Sequence, residues 1–325
     1  MVTVNAQAGR LVLRSSGVIL FLLLWELAPR LEWLDPYFVP PLSVVIGEAG
    51  TLLREGSLPI HLLVSVWRAI VGLLVAMAIG LPLGFLLASR FQQLAEAIDP
   101  MLRVLSQVNP FTLLPVFMLF FGIGETAKVA VVAWVSVWPI LFYGMTAARE
   151  VDPVQIKSAA SMGIGSTDML LKVILPGALP TTFVGIRIAA SLTFYILVAA
   201  EMLGAGAGLG WLVHNAAMNY LIPRIYAGAA CIVVLGFVLN RFLLWLERVL
   251  FVWREEISIL PGEAAVAVSP WRPGRYAARA LVGGVLAVLL FGGIEVQRIN
   301  REAAEPGGGH SHHFGTPVDS GGSSF

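Results

Sequence analysis

Among the ionisable side chains inside or at the ends of long apolar runs are Arg68, Arg187, Glu201 and Arg241. A charge held in apolar surroundings is expensive unless it is paired or faces a water-filled path, so each is a functional candidate. Glu201 closes the run Pro180–Leu203, and Arg187 and Arg68 are its candidate cations. It reads either as one half of a structural or gating ion pair or as a group on a transport path. Arg241, beside Asn240, either attracts an anion or pairs and snorkels towards water.

Other groupings point away from chemistry. The run Gly204-Ala205-Gly206-Ala207-Gly208-Leu209-Gly210 is rich enough in glycine to cradle a phosphate. A nucleotide fingerprint needs a strand before it and a helix start after it, and here an apolar helical run precedes it. It reads as a turn or re-entrant element. No GxxxxGK[ST] motif is present, so ATP binding by that route is not expected of this chain. His310, His312 and His313 sit among glycines and serines, without the ordered shell a zinc site requires. The lone Cys231 lies in an apolar run and reads as a small buried hydrophobe. No nucleophile, base and orienting group stand together. An enzyme is therefore not expected, nor a metal or cofactor of the chain's own.

The elements that position these residues follow from composition. Of 325 residues, 58 % are hydrophobic and 13 % charged, against about a quarter charged in soluble domains. Such a chain needs bilayer as part of its solvent, and lipid is an expected partner. The net charge of +1 argues against nucleic acid. Six runs approach the roughly 20 apolar residues that a membrane helix needs: Leu11–Ala28, Arg68–Ala88, Met101–Phe121, Ala127–Ala147, Pro180–Leu203 and Tyr226–Leu246. A seventh, Ala277–Ile294, is shorter and glycine-rich. The first lacks a cleavage site and reads as a retained span. The fold expected is an all-α polytopic transmembrane bundle. With the N-terminus cytoplasmic, Arg10, Arg14, Arg90, Arg103, Arg149, Lys157, Lys172, Arg248, Arg254, Arg272 and Arg275 fall inside or at the inner boundary, against Arg30, Arg54, Lys128 and Arg224 outside and Arg68 at the outer edge. That bias favours a multi-pass protein with a cytoplasmic N-terminus.

The long inner loop, 150–180, carries most of the local signal. Asp152, Pro153 and Gln155 make a helix start of the capping-box type. Ile156, Ala159, Ala160 and Gly163 then share one side, and Gly163 and Gly165 break the helix. Ser166 is placed to cap a second short helix, with Asp168 in its first turn and Pro176 at its end. Two readings stand: the small and apolar faces dock a partner, or they lie on the bilayer or the bundle.

The residues Lys157-Ser158-Ala159-Ala160-Ser161-Met162-Gly163, continuing to Val173-Ile174-Leu175-Pro176, resemble the coupling loop of ABC importer permeases, Glu-Ala-Ala-x-x-x-Gly followed by Ile-x-Leu-Pro. Lys157 stands in place of the glutamate, Ser158 of the first alanine and Val173 of the isoleucine. Further stretches narrow the likeness. They are Phe38-Val39-Pro40-Pro41-Leu42-Ser43, His61-Leu62-x-x-Ser65-x-x-Arg68-x-x-x-Gly72, Pro110-x-x-x-x-Pro115, Phe120-Phe121-Gly122-Ile123-Gly124-Glu125-x-x-Lys128, Ala200-Glu201 and Gly208-Leu209-Gly210-x-Leu212. Together, over about residues 15–256, they are similar to the permeases of nitrate, taurine and aliphatic sulfonate importers.

The resemblance implies a type I importer core of six helices in a bacterial inner membrane. It implies cytoplasmic ABC ATPase subunits that hold ATP and Mg, an extracytoplasmic binding protein, and a second permease copy, expected as a homodimer. Cargo would be a small anion such as nitrate, taurine or another sulfonate. A lone carboxylate on the path would repel such cargo, which favours the ion-pair reading of Glu201. Ala159, Ala160, Gly163, Leu175 and Pro176, with Lys157, Ser158 and Val173, would form the ATPase-coupling surface. The domains expected are a permease domain, 1–256, a linker with the seventh span, 257–294, and a disordered Gly/Ser/His tail, 295–325. A partner-free channel or secondary carrier is the competing class. An exporter or regulatory subunit on the same fold is a third.

Overall fold

The computed structural model describes residues 2–122, 124–251 and 275–304. Among them every regular element is helical: α1 (Val2–Arg30), α2 (Leu42–Arg54), α3 (Ser57–Ser89), α4 (Gln92–Ser106), α5 (Pro110–Phe121), α6 (Glu125–Arg149), α7 (Pro153–Ser161), α8 (Ser166–Met169), a π-helical turn (Leu170–Ile174), α9 (Leu175–Gly204), α10 (Leu209–Met218), α11 (Ile222–Leu250) and α12 (Arg275–Ala304). Among the described residues four stretches, Ser57–Ser89, Glu125–Arg149, Ser166–Gly204 and Ile222–Glu247, are long and apolar enough to cross a membrane, or five spans if the bent pair α4–α5 is counted as one.

Small residues bring the three central helices together. Gly72, Gly80 and Gly84 of α3 face Val132, Ile140 and Leu141 of α6, and a Cβ at Gly84 would lie 2.8 Å from the Leu141 carbonyl oxygen. In lipid no hydrophobic drive joins helices, so close backbone approach of this kind supplies the contact. The pairing also gives direction: α3 and α6 run parallel. On α9, Gly185 faces Tyr143 and Pro139, while Ile196, Leu197 and Ala200 pack with Val131 and Val132, so α9 runs antiparallel to both. α11 returns beside α9, with Arg187 bonded to Glu247 and Gly236 against Phe194. At the periphery α1 is tied to the segment before α2 by the Trp25 indole donating to the Pro40 carbonyl at 3.2 Å.

The structure corrects several sequence expectations. The third span, Met101–Phe121, is not one helix: α4 and α5 meet at 90°. The break lies before Pro110, which forces Asn109 into extended backbone (φ −66°, ψ 121°), and the Asn109 side chain caps the new helix by accepting from Phe111 N–H. Pro176 does not end a helix. The chain widens into the π-helical turn, where Leu175 N–H donates to Leu170 C=O, and continues as α9. That widening accommodates a proline, which lacks an N–H and whose ring clashes with the carbonyl four residues back. Gly165, not Ser166, is the N-cap of α8, and no side chain caps it. The stretch expected as a seventh span is helical, and α12 continues through Ala304, so 295–304 is helix rather than tail. Residues 257–274 of the linker and 305–325 of the tail, with His310, His312 and His313, lie outside the described residues.

Candidate functional site

Spacing on α3 puts His61, Ser65 and Arg68 on one stripe, at i, i+4 and i+7. Against this stripe lie the start of α6, the end of α9 and the glycine run leading into α10. Arg68 is 2 % exposed and grips Glu125 with two parallel bonds, Nε to Oε2 at 2.5 Å and Nη2 to Oε1 at 2.7 Å. Such a fork is the strongest geometry open to a guanidinium and a carboxylate. Its remaining Nη1 donates to Glu201 Oε1 at 2.8 Å and to the Ala207 carbonyl at 2.6 Å. Lys128, one turn into α6, donates to Glu125 at 3.1 Å. Two cations and two carboxylates thus share one enclosed, neutral network.

Glu201 is 0 % exposed, and both its oxygens are engaged. Ser65 Oγ lies 2.8 and 2.9 Å from them, and Gly210 N–H donates at 3.0 Å. Three successive amides of the glycine run are used in the same way: Gly208 N–H donates to His61 Nδ1, Leu209 N–H to Ser65 Oγ and Gly210 N–H to Glu201. These amides open α10, so the carboxylate also meets the positive end of that helix. Glycine is required here by space. Gly208 has φ +123°, and a Cβ on it would strike the Glu201 carboxylate; a Cβ on Gly210 would strike the Val198 carbonyl oxygen. His61 is further held against Trp211, with ring centroids 5.1 Å apart. A carboxylate sealed on every side holds elements together; it does not line an open channel in this conformation.

The other candidates fall elsewhere. Arg187 pairs with Glu247 at 2.8 Å rather than with Glu201. Arg241 is exposed on the stripe of α11 that also exposes Val234, Phe237, Val238 and Trp245, so it points away from the bundle.

At the opposite end, α7, α8 and the π-helical turn form a strap between α6 and α9. Asp152 caps α7 by accepting from Val154 N–H at 2.8 Å, with Pro153 as first helical residue. The face expected to hold Ile156, Ala159, Ala160 and Gly163 together is split. Ala159 is buried and half-buried Ile156 packs on Ala147, Ala148 and Val151, while Lys157, Ser158, Ala160 and Gly163 are exposed and Met162 is 80 % exposed. The first helix turn commits Ile156 and Ala159 to the bundle because only that side of α7 meets apolar neighbours. Gly163 ends α7 at φ +76°, a left-handed C-cap conformation that favours glycine. Behind the strap lies a cleft of ≈ 530 Å³ lined by Glu150, Asp152, Gln155, Lys172, Val173, Pro176 and Gly177, among others. Leu175 packs inward while Pro176 is exposed.

Sequence reasoning named Arg68 and Glu201 as charges in need of partners, yet Glu125, Lys128, Ser65, His61 and the amides of Gly208–Gly210 appeared only as separate motifs. The helical spacing of His61, Ser65 and Arg68 was the available signal that they share a face.

A family model described as "Binding-protein-dependent transport system inner membrane component" matches residues 80–252. The chain is 31 % identical over 256 residues to the taurine transport system permease protein TauC of Escherichia coli, covering 77 % of this chain and 93 % of that one. It is 33 % identical over 193 residues to the putative aliphatic sulfonates transport permease protein SsuC of Escherichia coli, covering 59 % and 73 %. It is 28 % identical over 254 residues to the bicarbonate transport system permease protein CmpB of Synechococcus elongatus, covering 73 % and 88 %. A chain of the solved inward-facing MetNI methionine ABC transporter shares the fold, with a TM-score of 0.52 and 20 % identity over 57 % of this chain and 92 % of that one.

Proposed function

Since the chain belongs to the family of binding-protein-dependent transport system inner membrane components, we propose that it forms, with a second copy of itself, the passage for a small anion such as taurine or another sulfonate. It is a membrane-spanning ABC importer permease, a transport subunit rather than an enzyme, and it works with a separate ATPase and a substrate-binding protein. The cargo reading is supported by the relatives named for taurine and aliphatic sulfonates; nitrate and bicarbonate belong to the same chemical class of small anions. Pairing with a second copy is supported by the apolar residues left exposed on α5 and α9, Leu119, Phe120, Tyr195 and Leu203 among them.

The observation that carries the coupling reading is the strap: it is continuous with α9 through the π-helical turn and presents Lys157, Ser158, Ala160, Met162 and Gly163 outward. In this reading 1–256 is the permease domain and 150–180 its coupling loop, with Ala159 and Leu175 holding the strap to the bundle, Val173 and Pro176 lining the cleft behind it, and Ala160 and Gly163 meeting the ATPase. The strap, like the N-terminus, then faces the cytoplasm of a bacterial cell with its inner membrane around the bundle. ATP and Mg reside in the partner, where closure of the ATPase pair biases the permease between two states.

The test is purification in mild detergent followed by reconstitution. Co-purification of an ATPase, and hydrolysis stimulated by a binding protein loaded with taurine, an alkanesulfonate, nitrate or bicarbonate in turn, is expected. A chain that purifies alone in several mild detergents and conducts anions without ATP would establish a channel or carrier instead.

A further inference from the structure

α12 lies beyond the stretch matched by the family model, which ends at residue 252, yet it is seated on the helix that carries Arg68. The indole N–H of Trp67, next to Arg68, donates to the Leu289 carbonyl of α12 at 3.1 Å. Gly292 permits that approach, since a Cβ there would lie 2.7 Å from Cβ and Cδ1 of Trp67. Further along, Val296 is buried with Val64 of α3 and Ala207 of the glycine run, and Ile299 packs beside them. Ala207 is the residue whose carbonyl accepts from Arg68. α12 therefore presses on the Arg68 network twice, through the turn of α3 that bears it and through the loop that covers it. The far face of α12 exposes Leu286, Leu290, Phe291 and Ile294, a surface suited to lipid.

We propose that α12 is a positioning helix: by seating on Trp67 it holds the loop 205–208 closed over Arg68 and Glu201, and so sets how readily that end of the permease responds to the binding protein. The proposal rests on the permease reading above, which places this end, opposite the strap, towards the binding protein. It concerns Trp67, Gly292, Val296 and Ile299, none of which belongs to the strap or carries charge in the network.

The experiment uses the full transporter in liposomes, with ATP hydrolysis followed against binding-protein concentration. Gly292→Leu forces α12 off Trp67. A loop released from α12 opens more easily, so the half-maximal binding-protein concentration is expected to fall about tenfold, within the usual span of coupling between sites. Trp67→Phe, which keeps the ring and loses the bond to Leu289, shifts it less in the same direction. A Gly292→Leu transporter with wild-type sensitivity, or one with only a lower maximal rate, overturns the proposal. Should that variant fail to assemble, Trp67→Phe decides between the same two outcomes. Absence of stimulation in the wild type by any binding protein would count against the permease reading instead.

Discussion

At one end of the α3–α6–α9 core four charges share an enclosed network; at the other, the strap carries an ion pair, Asp168–Lys172, on open surface. Arg68 and Glu201 are 2 % and 0 % exposed as side chains, whereas Lys172 and Asp168, bonded at 3.0 Å, are 67 % and 53 % exposed. The same chemistry therefore does different things. An enclosed pair cannot lose one member without stranding the other, which ties four elements into one body. A solvated pair is screened and replaceable, which leaves the strap's surface free to meet another protein. The contrast separates what holds the bundle together from what it presents.

The largest effect is expected from Arg68→Met, which leaves buried Glu201 without its cation, Glu125 with Lys128 alone and the Ala207 carbonyl without the Arg68 donor. Loss of about 3–5 kcal/mol is expected for a broken buried pair, read as a large drop in thermal unfolding temperature in detergent. Wild-type stability in that variant would erase the distinction between the two ends. Next comes Gly210→Ala, whose Cβ meets the Val198 carbonyl; overpacking of this kind is worth about 1–3 kcal/mol, measured in the same assay. Gly163→Val places a β-branched residue at φ +76°, costing about 1–2 kcal/mol locally. It should leave the bundle folded while ATP hydrolysis proceeds with uptake reduced; full transport would remove the strap's coupling role. Smallest is Asp168→Asn, which breaks only a solvated pair and should change stability by less than about 1 kcal/mol. A shift as large as that of Arg68→Met would show that the strap, too, is held by its charges.

How much of this was readable beforehand depends on whether a feature is local. The helical runs were, because apolar length reports a membrane span directly: α3, α6, α9 and α11 contain the runs expected for them. The Asp152-Pro153 start of α7 was readable too, since a cap is formed by neighbours in the chain. The 90° bend at Asn109 was missed because the residues just before and after it are mostly apolar and the count of apolar residues ignores direction. Pro176 was misread because a proline is a helix terminator only where the preceding turn cannot widen. The network was half visible. Glu201 demanded a cation, but whether Arg68 or Arg187 answers it depends on which helices touch, and Glu247, overlooked, takes Arg187. The split of Ala159 from Ala160 likewise depends on what lies behind α7, which no periodicity within the strap reveals.

The π-helical turn acquires a mechanical meaning when α9 is considered as a body. From Leu175 to Gly204 the helix has no break, and its 30 residues amount to a strut of about 45 Å. One tip adjoins the strap and the other ends beside Glu201. A tilt of about 4° at one tip displaces the other by about 3 Å, a simple consequence of that length. Pro180 removes one bond from the lowest turns of the shaft, so compliance gathers there and in the widened turn beneath it. On the proposed coupling, Pro176 is the collar of a connecting rod: it keeps the pivot where a push from the strap would enter, and leaves the upper shaft straight.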